Sequence, residues 1–251
     1  FGPQYDIHGG GLDLKFPHHE AEIAQQEAAS GKVPFVRLWM HVGLLTVHGE
    51  KMAKSMGNFI TIKDFLSQYS KDVLRFIVLT HHYRSPLDYT EKLALEAVRA
   101  LRSVQEFLAK TALLQKRGKT EEITLLIAKA EQAFNGAFQD DVNTPVAIGE
   151  IFGLINAVHQ KIYTLTRADG RALARWIQGS SGVLGITLPP LSVPRAVKNF
   201  AKKRELFRTH KQFIEADEVR RKIDALGYTV EDTPLGPLVL QSQISKVKSQ
   251  K

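Results

Sequence analysis

The stretch DLKFPHHEAEIAQQ, residues 13–26, follows the glycine run Gly9-Gly10-Gly11 and packs two histidines and two glutamates into five positions. Its reading sets the fold class. The preceding YDIHGGG (5–11) reads as a short strand entering a glycine turn. Pro17 stands at or just before the first turn of a helix predicted from His18 to Ser30, and Gly31 is placed to end it. LWMHVGLLTV (38–47) reads as one buried strand, and His48-Gly49 as a turn. Strand, helix and strand in that order predict an α/β beginning.

After Asp64 the hydrophobic period changes. Leu93, Ala97, Leu101, Val104 and Leu108 recur at three- and four-residue steps and predict an amphipathic helix over 90–115. Further helices are predicted over 121–138, over 144–166 opened by Thr144-Pro145, and over 169–184. Pro189, Pro190 and Pro194 mark a linker. Residues 195–226 read as one or two basic helices closed by Gly227, and 228–241 as a hairpin around Pro-Leu-Gly-Pro. The predicted organisation is an α/β part (1–64), a helical segment (65–118), a helical bundle (119–192), a small basic α/β module (193–241) and a disordered lysine-bearing tail (242–251). Helix dominates, and there is no internal repeat.

Composition narrows the function classes. No run of about 18 apolar residues is present, so no membrane span is indicated. Cysteine is absent, so disulfides are excluded and any metal site within these residues must use His and carboxylates. That fits a cytoplasmic protein. The net charge of +8 is uneven: residues 1–64 carry −1, 65–192 carry +3 and 193–251 carry +6. The basic end is either a polyanion-binding surface, nucleic acid first, or a solvated basic face. Residue 1 is Phe, from which we expect a sequence that begins mid-protein.

Two groups can carry chemistry. His18 and Glu22, at i and i+4, share a helix face and can converge on one cation, while His19 and Glu20 are expected to point elsewhere. A tetrahedral zinc needs about four ligands, so the pair is half of a metal site or a polar helix start. Lys51 and Lys54, in KMAKSMGN (51–58), can clamp a polyphosphate or simply make an exposed basic loop.

The succession DIHGGGLDLKFPHHEAEIAQ, WMHVGLL and KMAKSMGNFITIKDFL resembles cysteinyl-tRNA synthetases. FQDDVNTPVAI (138–148) and FIEADEVRRKIDALGYTVEDTPLG (213–236) extend the resemblance to nearly the whole chain. It implies an α/β remnant of a class I, Rossmann-like catalytic domain, followed by helical anticodon-side segments. In that family a zinc ion binds the substrate thiol. His18 and Glu22 match its histidine and glutamate ligands, and the cysteine ligands lie upstream. Lys51 and Lys54 match the two lysines of the family's KMSKS loop, which contacts ATP, with Mg2+ expected beside it. Gly9, Gly10, Gly11 and Asp13 match a turn beside the active site.

The resemblance further implies that the basic end binds tRNA(Cys), with Lys202, Lys203, Arg204, Arg220 and Arg221 as expected phosphate contacts. This sequence departs from the family at Ala53 (usually Ser), at Ala21 (usually Asn), and in lacking a tryptophan after TPLG. The family's HIGH motif is not among these residues, so by this reading they form a C-terminal portion inactive alone. Three alternatives stand beside it. The first is the mycothiol-pathway ligase that joins cysteine to an amino-sugar. The second is a non-catalytic helical RNA-binding module. The third is a His/Glu metallohydrolase, disfavoured by the lack of HExxH.

Overall fold

The structure is a computed structural model that describes residues 2–52 and 56–242. Lys54, Ala53 and the expected tail beyond 242 lie outside the described residues. Two compact units emerge: residues 1–99 with 133–150 and 184–186, and residues 100–132 with 151–183 and 187–251.

The first unit opens with β1 (Tyr5–Gly11), a five-residue π-helical turn at Lys15–His19, and α1 (Glu20–Ser30). β2 (Val36–Val42) then runs parallel to β1, Tyr5 opposite Val36 and Gly11 opposite Val42. Three expectations shift here. The glycines lie inside the strand rather than in a turn. The regular helix starts at Glu20, because Phe16 before Pro17 is extended (φ −138°, ψ 133°), as a residue preceding proline prefers. Residues 38–47 form two strands: Gly43 separates β2 from β3 (Leu45–Val47), its amide bonding the Tyr83 carbonyl at 2.7 Å. A Cβ at Gly43 would stand 2.1 Å from the Ser85 carbonyl oxygen, so that crossing needs glycine. Gly31 ends α1 with φ 66°, as its sequence position predicts.

β3 pairs antiparallel with β4 (Glu50–Lys51) across the His48-Gly49 turn, and parallel with β5 (Leu87–Tyr89). Between them lie α2 (Ile62–Gln68) and α3 (Lys71–Leu79). α2 starts at a reciprocal cap: Thr61 Oγ1 accepts from the Asp64 amide at 3.0 Å and Asp64 Oδ2 from the Thr61 amide at 3.3 Å. Phe65, Val73, Phe76 and Ile77 face inward from these helices.

α4 (Glu91–Thr111), α5 (Glu121–Gln139), α6 (Thr144–His159) and α7 (Arg167–Val183) supply most of the helix. The buried stripe of α4 is Ala94, Ala97, Leu101, Val104 and Phe107, so Leu93 and Leu108 flank it rather than centre it. α6 stops seven residues short of the expected 166, giving way to a 3-10 turn at Ile162–Thr164. In the second unit Asp169, 1% exposed, anchors the start of α7 and accepts hydrogen bonds from Thr120 and Thr166.

The end of the chain pairs α8 (Arg195–Thr209) and α9 (Phe213–Ala225) with an antiparallel hairpin, β6 (Tyr228–Thr233) and β7 (Gly236–Gln241). Val197, Ala201, Val219, Ile223, Val230 and Val239 form its apolar core. No helix among the described residues is long and apolar enough to cross a membrane.

Candidate functional site

The parallel pairing of β1 and β2 builds one wall of the site. It sets His8 opposite Trp39, the two rings stacked at 4.6 Å and 22°, and Gly10 opposite His41. The turn into α1 brings up His18 and His19. His19 is 3% exposed and its Nδ1 lies 2.8 Å from His41 Nε2, one ring donating and the other accepting. Burial first, then the neighbouring imidazoles of His41 and His8, hold the His19 pKa below its ordinary value, so the ring is neutral and keeps a lone pair. A Cβ at Gly10 would stand 2.5 Å from His19 Cε1, so this glycine makes room for the ring. Gly9 has no such neighbour: the nearest atom to a Cβ there is the Met40 carbonyl oxygen at 3.8 Å.

Glu22 sits at the centre. Its Oε1 is 3.4 Å from His18 Nε2 and its Oε2 is 3.8 Å from His8 Nε2. Both gaps exceed a good hydrogen bond. Oε2 is buried and has no hydrogen-bond partner, an arrangement that calls for a cation or a proton. Ligand atoms of His8, His19 and Glu22 lie within 4.8 Å of one another. Two ligands bound tetrahedrally at about 2.0–2.1 Å would stand roughly 3.3 Å apart, close to the His18–Glu22 separation. The donor set of imidazoles and one carboxylate is chemically suited to zinc, and it leaves coordination positions for donors that these cysteine-free residues do not contain.

The expected pair is thus brought together, and His19 departs from expectation: it points into the cluster instead of away from it. His8, His19 and His41 join only through strand pairing. Their signal in the sequence is weak: YDIH alternates apolar and polar residues, whereas WMHV does not. Asp13 stands 3.7 Å from Lys51 (Oδ2 to Nζ), which joins the glycine-turn group to the lysine loop.

In the basic module Lys202, Lys203, Arg220 and Arg221 are exposed. Arg204 is not available for a phosphate contact: it is 1% exposed, and its guanidinium makes a two-pronged bond to Asp232, with Nη2 to Oδ2 at 3.0 Å. Its position three residues after Ala201 and seven after Val197 puts it on the helix face that packs inward.

Residues 1–99 match the tRNA synthetases class I (C) catalytic domain, and residues 133–188 match the DALR domain. Curated relatives align along nearly the whole sequence. The cysteine–tRNA ligase of Persephonella marina is 39% identical over 94% of this chain and 54% of its own length. Those of Legionella pneumophila (strain Corby) and Aquifex aeolicus are 38% and 37% identical over 94% of this chain, and over 51% and 54% of their own lengths. The chain is similar to cysteine–tRNA ligases along nearly its whole length. It spans about half the length of the curated relatives it matches. Among solved structures, the Agrobacterium radiobacter K84 agnB2 LeuRS, crystallised in a ternary complex with tRNA and LeuAMS, superposes with a TM-score of 0.56 at 16% identity. The superposition covers 73% of this chain and 26% of that one, which supports a class I synthetase fold.

Proposed function

We propose that this polypeptide contributes to a cysteine–tRNA ligase: ATP-dependent formation of cysteinyl-adenylate, then transfer of cysteine to the 3′ end of tRNA(Cys) in the cytoplasm. The observation that carries this reading is Glu22, a half-buried carboxylate whose Oε2 is shielded from solvent and has no hydrogen-bond partner, held against His18 at tetrahedral ligand spacing inside a class I synthetase sequence.

Glu22 and His18 would hold zinc, completed by thiolates from outside these residues. When bound, the ion supplies a centre that takes a thiol as thiolate and discriminates against the serine hydroxyl. The chain's own residues do the rest by positioning and charge. The cysteine carboxylate attacks the α-phosphorus of ATP and pyrophosphate leaves. Lys51 and Lys54 stabilise the negative charge that gathers on the departing phosphates. A terminal ribose hydroxyl of tRNA then takes the acyl group and AMP departs. Lys51, tethered near Asp13, enters from the β4 end of the loop.

Lys202, Lys203, Arg220 and Arg221 offer exposed cations for the tRNA backbone. That basic module and the DALR-domain match favour the tRNA ligase over an amino-sugar ligase, which needs no anticodon module. Cysteine-dependent exchange of pyrophosphate into ATP, measured on the full-length gene product, tests the reading. It predicts exchange with cysteine, none with serine, and loss of the rate on Lys54→Ala. Absence of cysteine-dependent exchange, or equal exchange with serine, overturns it.

A further inference from the structure

A phosphate-contacting lysine is useful only if its loop has a fixed root, and the root of this loop is built from a residue far along the chain. β3 and β4 meet in a two-residue turn in which His48 (φ 53°) and Gly49 (φ 78°) both take the left-handed conformation, the form that suits a tight hairpin. A non-glycine residue at His48 is uncommon there, so the turn needs outside support. Thr46 pairs with Lys51 across the hairpin, and on its other side Thr46 pairs with Asp88 of β5. One carboxylate oxygen, Asp88 Oδ1, accepts from the Gly49 amide at 2.8 Å and from the Thr46 hydroxyl at 2.8 Å. At the far end, Asn58 Nδ2 donates to the Lys51 carbonyl at 3.2 Å.

We propose that Asp88 is a positioning residue for the nucleotide loop, tying the His48-Gly49 turn to β5 and so fixing where Lys51 leaves the sheet. This rests on the reading of Lys51 and Lys54 as ATP contacts. Asp88 acts through the backbone two residues before Lys51. The hydrogen bonds from Gly49 and then Thr46 hold its pKa below the ordinary carboxylate value. What the turn requires is an acceptor oxygen in that place. Asparagine has one, and alanine does not.

The test compares Asp88→Ala with Asp88→Asn in the full-length gene product, using amide exchange at residues 48–51 and the kinetics of cysteine activation. Asp88→Ala is expected to lose protection at Gly49 and to cut kcat/KM for ATP by roughly tenfold to a hundredfold, the scale of a misplaced catalytic group. KM for cysteine should stay within about twofold, since the His18–Glu22 side is untouched. Asp88→Asn should restore both protection and ATP kinetics. If Asp88→Ala does not fold, Thr46→Val, which removes one of the two bonds, should give a smaller change of the same kind. Unchanged Gly49 protection in Asp88→Ala, equal losses toward ATP and cysteine, or an asparagine variant no better than alanine would each overturn the proposal. Should the wild-type protein show no cysteine activation, the ligase reading falls. Gly49 protection alone then decides whether Asp88 fixes the turn.

Discussion

Replacing Asp169 by alanine isolates the energetics of the helical part. The carboxylate accepts four hydrogen bonds: from the Thr120 amide (2.9 Å) and hydroxyl (2.7 Å), and from the Thr166 amide (3.1 Å) and hydroxyl (2.6 Å). Alanine removes every acceptor. The two hydroxyls can turn to other partners, but the two backbone amides cannot. An unsatisfied buried donor costs about 1–3 kcal/mol, so Asp169→Ala should lose about 4 kcal/mol. Asp169→Asn keeps one carbonyl oxygen but turns its NH2 group toward donors, and should lose about half as much.

The assay is urea unfolding in a Trp39→Phe background, which leaves Trp176, on α7 itself, as the one indole of the two in the sequence. pH supplies a second reading. Burial pushes the Asp169 carboxyl up, but the hydrogen bonds from Thr166 and Thr120 outweigh it and its folded pKa lies below the ordinary value. A depressed folded pKa means stability that is present above the unfolded pKa, about 3.9, and is lost as pH falls through the folded one. The gap between wild type and Asp169→Asn should therefore hold at neutral pH and narrow in acid. A loss under about 1 kcal/mol for Asp169→Ala, or a gap that widens in acid, would refute the reasoning.

Other outcomes follow from the same contacts. Gly10→Ala drives a methyl group into the His19 ring and should cost about 1–3 kcal/mol, read as a lower thermal midpoint, whereas Gly9→Ala should be tolerated sterically. Arg204→Ala breaks the pair with Asp232, whose carboxylate stays part-exposed and 3.4 Å from Arg208, and should cost about 1–3 kcal/mol in urea unfolding. Lys202→Ala and Lys203→Ala should leave stability within about 0.5 kcal/mol. Filter binding to tRNA across a salt titration should give a negative log–log slope. Each lysine removed at a phosphate contact should lower its magnitude by roughly 0.7–0.9, and a flat response would exclude a polyanion face.

The helices were legible because their signals are local. Gly31 sits one residue past the period of α1, and the three- and four-residue steps of α4 locate that helix, although the buried stripe falls one residue to either side of Leu93 and Leu108. The His18–Glu22 pair was legible for the same reason, one turn of helix. What failed to show was non-local. His8 and His41 reach His19 only because β1 and β2 pair in parallel, and nothing in a single strand states its partner's register. Residues 38–47 read as one strand because Gly43 looks like an interior glycine until Ser85 is seen lying against it. Arg204 read as a surface cation because charge alone does not reveal an inward helix face, nor an aspartate 28 residues later that neutralises it. Asp88 was invisible for the related reason that its role is spent on the backbone of a different hairpin.

Metal content decides most directly between a zinc-holding carboxylate and an acid in a polar helix start. The full-length gene product, purified without chelator, is to be compared with its Glu22→Gln form for zinc by atomic absorption and for cysteine activation. The account predicts about one zinc per polypeptide in the wild type, with both zinc and cysteine activation lost in the variant. Undiminished zinc together with undiminished cysteine activation would contradict it.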